Sequence, residues 1–222
     1  MGHTFSALVP MKHESERVPG KNLRLLHGRP LYHWILESLR ASRFVNEIII
    51  NTDSKEIAQD AAANFGAKIL WRPPHLLGHM IGINPLIEHD ISQTQGEYYL
   101  QTHSTNPLLS TNTIDRAVDA FLSARDQDSL FTVTPIHSRF YHPDGRPINH
   151  DPANLVRTQD LPTIYEENSC LYLFTRTGFL KHGHRIGSSP IMFPIAAEEA
   201  VDIDEPIDFL LAEATMKSRL GQ

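Results

Sequence analysis

Apolar positions fall into short blocks separated by polar loops, and the spacing within a block changes along the chain. Ser6 to Met11 is a compact apolar run that reads as a first strand, whereas from Pro30 to Leu39 the apolar residues recur at helical spacing. Glu47 to Thr52 holds three consecutive isoleucines, the mark of a strand covered on both faces. The Asn-Thr-Asp-Ser that follows lets Asp53 or Ser54 cap a helix running through Asn64. The rhythm continues with a strand at Lys68 to Trp71, a helix at Ile81 to Ile91, a strand at Glu97 to Gln101, a helix at Asn112 to Ala124 and a strand at Ser129 to Thr134. Tyr172 to Phe174 and Ile191 to Ile195 return to the sheet, and Pro206 to Arg219 makes a terminal amphipathic helix. Such alternation predicts a single α/β domain over residues 1–222, with a mostly parallel sheet and helices on both faces. Only residues 137–162 break the pattern. There Pro, Gly, Asp, Asn, His and Arg replace helical periodicity, and the segment reads as a projecting arm or lid that covers a ligand or meets a partner subunit.

Composition narrows the choices. With 222 residues and 41% hydrophobic content the chain can bury one sizeable core. A net charge of -6 gives no basis for holding a long polyanion, so no nucleic-acid partner is expected and any anion site is local. The single cysteine, Cys170, lies in an apolar run, cannot form an internal disulfide and reads as a small buried hydrophobe. No stretch reaches the apolar length needed to span a bilayer, and the chain opens almost directly on a strand. The expectation is a cytoplasmic protein without a membrane partner.

In a parallel sheet ligands lie at the carboxyl ends of the strands, so the polar loops there carry the candidate chemistry. The loop after the first strand, Met11 to Asn22, is the densest basic region of an acidic chain, with Lys12, Arg17 and Lys21 placed where backbone amides can also face a phosphate. It has neither the Gly-Lys-Ser/Thr ending of a P-loop nor the three-glycine dinucleotide pattern. Pro19-Gly20 predicts a tight turn that aims Lys21 inward. The second constellation is Val201-Asp202-Ile203-Asp204-Glu205-Pro206-Ile207-Asp208. In an extended segment Asp202 and Asp204 share one side while Val201 and Ile203 face the core. Two carboxylates in so small a volume call for a hard cation such as Mg²⁺ or Mn²⁺. Asp208, in the first turn of the last helix, suits a helix cap as well as a ligand. The 13 histidines include no zinc spacing, and no nucleophile elbow occurs. A phosphate cradle beside a carboxylate pair implies transfer at phosphorus, and leaves a nucleotidyltransferase, a kinase and a nucleotide-sugar glycosyltransferase open.

The order of motifs resembles the CMP-sugar synthetases, the cytidylyltransferases that activate sialic acids and related 2-keto sugar acids. Val9 to Leu23, followed by Gly28-Arg29-Pro30-Leu31, is similar to that family's nucleotide loop: Ser15, Lys21 and Asn22 match, while Lys12 replaces an arginine and Glu16 a lysine, with Arg17 adjacent. Arg72-Pro73-Pro74-His75-Leu76 resembles the segment beside the cytosine, although His79 stands at an acidic position of the pattern. Leu100-Gln101 and the run to Leu108 resemble a segment near the sugar, and Asn168-Ser169-Cys170-Leu171-Tyr172 resembles Asn-Gly-x-x-Tyr with serine for glycine. Asp202-Ile203-Asp204 before a terminal helix is similar to the family's magnesium site. The resemblance implies a nucleotidyltransferase-like Rossmann-type fold, CTP held by Lys12, Ser15, Arg17, Lys21, Asn22 and Arg72, a sugar acid near Gln101 and Tyr172, and Mg²⁺ on Asp202 and Asp204. It implies a catalytic set of Asp202, Asp204 and Lys21, and a homodimer built through the arm. A nucleotide-sugar glycosyltransferase, or a catalytically degenerate nucleotide-binding homodimer, are the alternatives, the latter suggested by the changes at positions 12, 16, 79 and 169.

Overall fold

The computed structural model describes residues 3–78 and 80–221, so His79 lies outside the described residues. In chain order the elements are β1 (Phe5–Leu8), a two-strand hairpin β2 (Leu25–Leu26) and β3 (Arg29–Pro30), α1 (Leu31–Ala41), β4 (Val45–Thr52), α2 (Lys55–Phe65), β5 (Lys68–Trp71), α3 (Ile83–Ser92), β6 (Tyr98–Thr102), α4 (Thr111–Ser123), β7 (Ser129–Ile136), β8 (Ile164–Thr175), α5 (Arg176–His182), β9 (Pro190–Pro194) and α6 (Pro206–Leu220).

Seven strands form one sheet in the order β5-β4-β1-β6-β8-β7-β9. Within this sheet β8 alone runs against its neighbours, pairing antiparallel with β6 and β7, while β7 and β9 pair parallel. Strand alternation divides the core between the two faces. Ile48 and Ile50 of the isoleucine run join α1, α2 and α4 on one face, and Ile49 joins α3 and α5 on the other. Burial of each such side chain contributes roughly 1.5–3 kcal/mol. A third apolar cluster packs α6 over the β2–β3 hairpin through Leu26, Leu31, Ile203, Phe209 and Met216.

The first strand is shorter than Ser6 to Met11: it ends at Leu8, and Met11 makes only an isolated bridge to Thr52, because Pro10 lacks the N–H a ladder needs. Ser54 rather than Asp53 caps α2, accepting the Ile57 N–H at 3.3 Å. The strand expected at Tyr172 to Phe174 is the end of the longer β8. Residues 137–162 carry an isolated Tyr141–Pro147 bridge and a short helical turn at Thr158–Asp160, and are mostly exposed. No described helix is long and apolar enough to cross a membrane.

Candidate functional site

From β1 the chain steps outward to β4 and β5, then returns to β6 on the other side of β1. A parallel sheet opens a crevice at such a reversal, beyond the carboxyl ends of the strands. A cavity of about 500 Å³ lies there, lined by the loops after β1 and β6, by Ser169 and Arg185, and by Asp202 and Asp204.

Gly20, at φ 64°, makes the turn that Pro19-Gly20 predicts, and Lys21 points inward. Its Nζ donates to the Ile203 carbonyl at 2.6 Å and to Asp204 Oδ1 at 3.2 Å. Asn22, buried at the base of the loop, donates from Nδ2 to the Lys12 carbonyl at 2.9 Å and accepts from Ser104 Oγ at 2.7 Å. It thereby ties the loop after β1 to the loop after β6. Lys12 and Ser15 line the cavity. Arg17 reaches Asp204 Oδ2 at 2.9 Å and Glu205 at 3.3 Å. The basic loop and the acidic pair, about 190 residues apart in sequence, are therefore in direct contact.

The acidic segment is positioned from both sides. Ile203 is fully buried under α6, and its N–H bonds the Thr105 carbonyl at 2.9 Å, which turns Asp202 and Asp204 toward the cavity. Asp208 Oδ2 accepts the backbone N–H groups of Asp204 and Glu205 at 3.0 and 2.7 Å and acts as a helix cap. The two aspartates are pushed apart electrostatically. Burial, together with the charge of Asp204, raises the Asp202 carboxyl above the usual range. Burial also opposes ionisation of Asp204, but Lys21 and Arg17 more than offset it and hold its carboxyl below that range. Among the described residues no group of three or more His, Cys, Asp or Glu forms a metal cage. Asp202 Oδ1, however, is buried without a hydrogen-bond partner. An orphaned hard oxygen beside a second carboxylate fits Mg²⁺, which commonly takes one or two protein carboxylates and completes its shell with water and phosphate.

Three of the residues singled out in sequence do not line the cavity. Arg72 is buried, with Nε on Asn51 Oδ1 at 2.8 Å and Nη2 on the Asn51 carbonyl at 3.0 Å, and its guanidinium serves a network that continues from Asn51 to Asp90. Gln101 and Tyr172 are both buried and support Arg185, which does line the cavity. Ser169 also reaches the wall. Its φ of 58° shows that the turn keeps the left-handed geometry glycine would favour, so the serine is strained there by roughly 1 kcal/mol or more. The cause is an irregularity of β8, where pairing passes from Phe131–Tyr172 to Val133–Glu167 and the extra residues bulge toward the cavity.

A family model described as "Cytidylyltransferase" matches residues 6–214. The chain belongs to the cytidylyltransferase family. It is 30% identical over 230 residues to CMP-N,N'-diacetyllegionaminic acid synthase of Legionella pneumophila, covering 95% of each chain. It is 24% identical over 217 residues to post-translational flagellin modification protein B of Campylobacter coli, covering 92% of each. Among solved structures, CMP:2-keto-3-deoxy-manno-octonic acid synthetase complexed with CTP shares the fold at a TM-score of 0.71 and 14% identity, covering 97% of this chain and 99% of that one.

Two cavity residues of this cytidylyltransferase were not singled out as site residues in sequence. His103 stands in a polar run after β6. Burial, with Arg185 and Lys21 nearby, lowers its pKa to about 4 and keeps the imidazole neutral. Arg185 stands in a His-Gly-His-Arg run that looks like solvated surface, and its burial depends on partners far away in sequence.

Proposed function

We propose that the chain transfers CMP from CTP to a 2-keto sugar acid, sialic acid or a related nonulosonic acid, and releases pyrophosphate. The observation that carries this reading is the convergence of the Lys12–Asn22 loop and the Asp202–Asp204 pair on one cavity in a member of the cytidylyltransferase family. The Legionella relative, a CMP-N,N'-diacetyllegionaminic acid synthase, supports the same choice of reactants. The anomeric hydroxyl attacks the α-phosphorus and gives up its proton to solvent, and the bond to the oxygen bridging the α- and β-phosphorus breaks as pyrophosphate leaves. Lys12, Ser15, Arg17 and Lys21 hold the triphosphate and stabilise charge on the departing group. Asp202 and Asp204 would hold Mg²⁺, which when bound would add to the neutralisation of the phosphates. The protein works as a cytoplasmic homodimer on small molecules, with residues 137–162 meeting the second copy.

Pyrophosphate release from CTP, with magnesium and a panel of N-acetylneuraminic, N,N'-diacetyllegionaminic, pseudaminic and 3-deoxy-manno-octulosonic acids, tests the reading. Turnover with at least one acid is expected, together with an equal amount of CMP-sugar. Asp204→Asn should lower kcat about a hundredfold while the protein stays folded. No turnover by folded protein with any of these acids overturns the proposal, and formation of a nucleoside diphosphate from a nucleotide sugar would install a glycosyltransferase in its place.

A further inference from the structure

The wall of the cavity contributed by the segment between α5 and β9 holds one charged side chain, Arg185, whose surroundings are those of a binding group. The side chain is only 12% exposed. Its guanidinium carbon lies 3.4 Å from the centre of the Tyr172 ring, a stacking contact that fixes the plane of the fork. Nη1 donates to Gln101 Oε1. The Gln101 amide is oriented in turn by donating to the Thr102 carbonyl at 2.8 Å and to His103 at 3.2 Å. Tyr172 is held by its hydroxyl, which donates to Glu167.

What this arrangement lacks is a close counter-ion. Among the described residues the nearest carboxylate to Arg185 is Glu167, 3.9 Å from Nη2 and already engaged by Tyr172. Removing a guanidinium from water without a short ion pair is costly, and burial lowers its pKa accordingly. A stacked, oriented and nearly enclosed fork that still reaches a cavity is arranged for an anion supplied from outside the chain.

Two anions belong to the proposed reaction, a phosphate and a carboxylate. The phosphate side already has cations from the loop after β1, and Arg17 and Lys21 sit on Asp204. Arg185 comes from a separate element and shares its part of the wall with neutral groups, the Ser169 hydroxyl and the uncharged His103 imidazole. Neutral hydrogen-bonding groups around one fork suit a singly charged, hydroxyl-rich molecule better than a triphosphate.

On the proposed function, we propose that Arg185 is the carboxylate-binding residue of the sugar-acid subsite, with Gln101 and Tyr172 as the positioning residues that aim it. The carboxylate accepts two parallel N–H bonds from the fork, while Ser169 and His103 meet hydroxyl groups.

Steady-state kinetics of Arg185→Gln and Arg185→Lys test this, using the acid of the panel that the wild-type protein turns over fastest and the methyl ester of that acid. Arg185→Gln should raise KM for the acid about tenfold or more and leave KM for CTP within twofold. Arg185→Lys, which keeps the charge but loses the fork, should fall between. The wild-type protein should prefer the free acid to its ester, and Arg185→Gln should lose that preference. A thermal melt accompanies each variant; where Arg185→Gln fails to fold, the ester-to-acid ratio of Arg185→Lys decides, and an unchanged ratio overturns the proposal. An unchanged KM for the acid in folded Arg185→Gln, or a raised KM for CTP alone, also overturns it, while leaving the cytidylyl-transfer reading intact. Absence of turnover by the wild-type protein fails that underlying reading and this one with it.

Discussion

At the scale of single residues, the site is governed by what its neighbours do to charge. His103 makes this measurable. Its imidazole titrates at about 4 in the folded protein, because burial and nearby Arg185 disfavour the cation, against about 6.5 in an unfolded chain. Below 6.5 the unfolded state takes up the proton and the folded state does not, so stability falls as the pH drops from about 6.5 to about 4. Above 6.5 the effect vanishes. The loss reaches up to about 3 kcal/mol. Urea denaturation of the wild-type protein and His103→Gln at a series of pH values should show their stability difference shifting by that amount across this window, against the wild type at the acid end. A difference that stays constant would mean that the folded state does not hold this imidazole neutral. The same dependence on surroundings explains why Asp202, Asp204, Lys21 and Asn22 were legible in sequence and Arg185 was not. The first four sit in compact polar motifs, whereas the character of Arg185 comes from Gln101, 84 residues away, and from the Tyr172 ring.

At the scale of elements, the segment joining α5 to β9 deserves the closest experimental scrutiny because it carries Arg185. It wraps around the Asp128 carboxylate, which accepts the N–H groups of Ser188 and Ser189 at 2.8 and 3.1 Å, and the Gly187 N–H bonds Ser129 Oγ at 2.8 Å. A Cβ on Gly187 would lie 2.1 Å from Asp128 Oδ1 and 2.3 Å from its Cγ. Gly187→Ala should therefore cost about 1–3 kcal/mol in urea denaturation and weaken the acid substrate by moving Arg185. Wild-type stability would show that Asp128 swings aside freely. Elements with a clear period were readable: the isoleucine run of β4, the short β5 and the amphipathic α4 emerge close to the expected bounds. The α5 helix escaped notice because seven residues burying only Phe179 present no period. The β2–β3 hairpin is too short to alternate, and the polar run Glu166-Glu167-Asn168-Ser169 hides the first half of β8 because the strand bulges there.

At the scale of the whole molecule, the arm exposes large apolar side chains: Tyr141, Ile148 and Leu155 are 53%, 50% and 63% accessible. Such side chains on a segment without a core of its own suit contact with a second copy. Sedimentation equilibrium should give twice the mass of one chain, and replacing Ile148 and Leu155 together by aspartate should give a folded monomer; a wild-type monomer at micromolar concentration rejects the dimer. The contact of Arg17 and Lys21 with Asp204 has a consequence for how the proposed reaction begins. A divalent ion arriving alone finds a carboxylate whose charge is already satisfied by two side chains. A bare triphosphate arriving alone must draw those side chains away and face two carboxylates that repel it. A nucleotide that brought its own counter-ion would replace both contacts together, with Arg17 and Lys21 turning to its phosphates and the aspartates holding the cation. On the proposed function, the clasp of Arg17 and Lys21 on Asp204 would therefore yield more readily to a nucleotide that brings its metal than to either member alone.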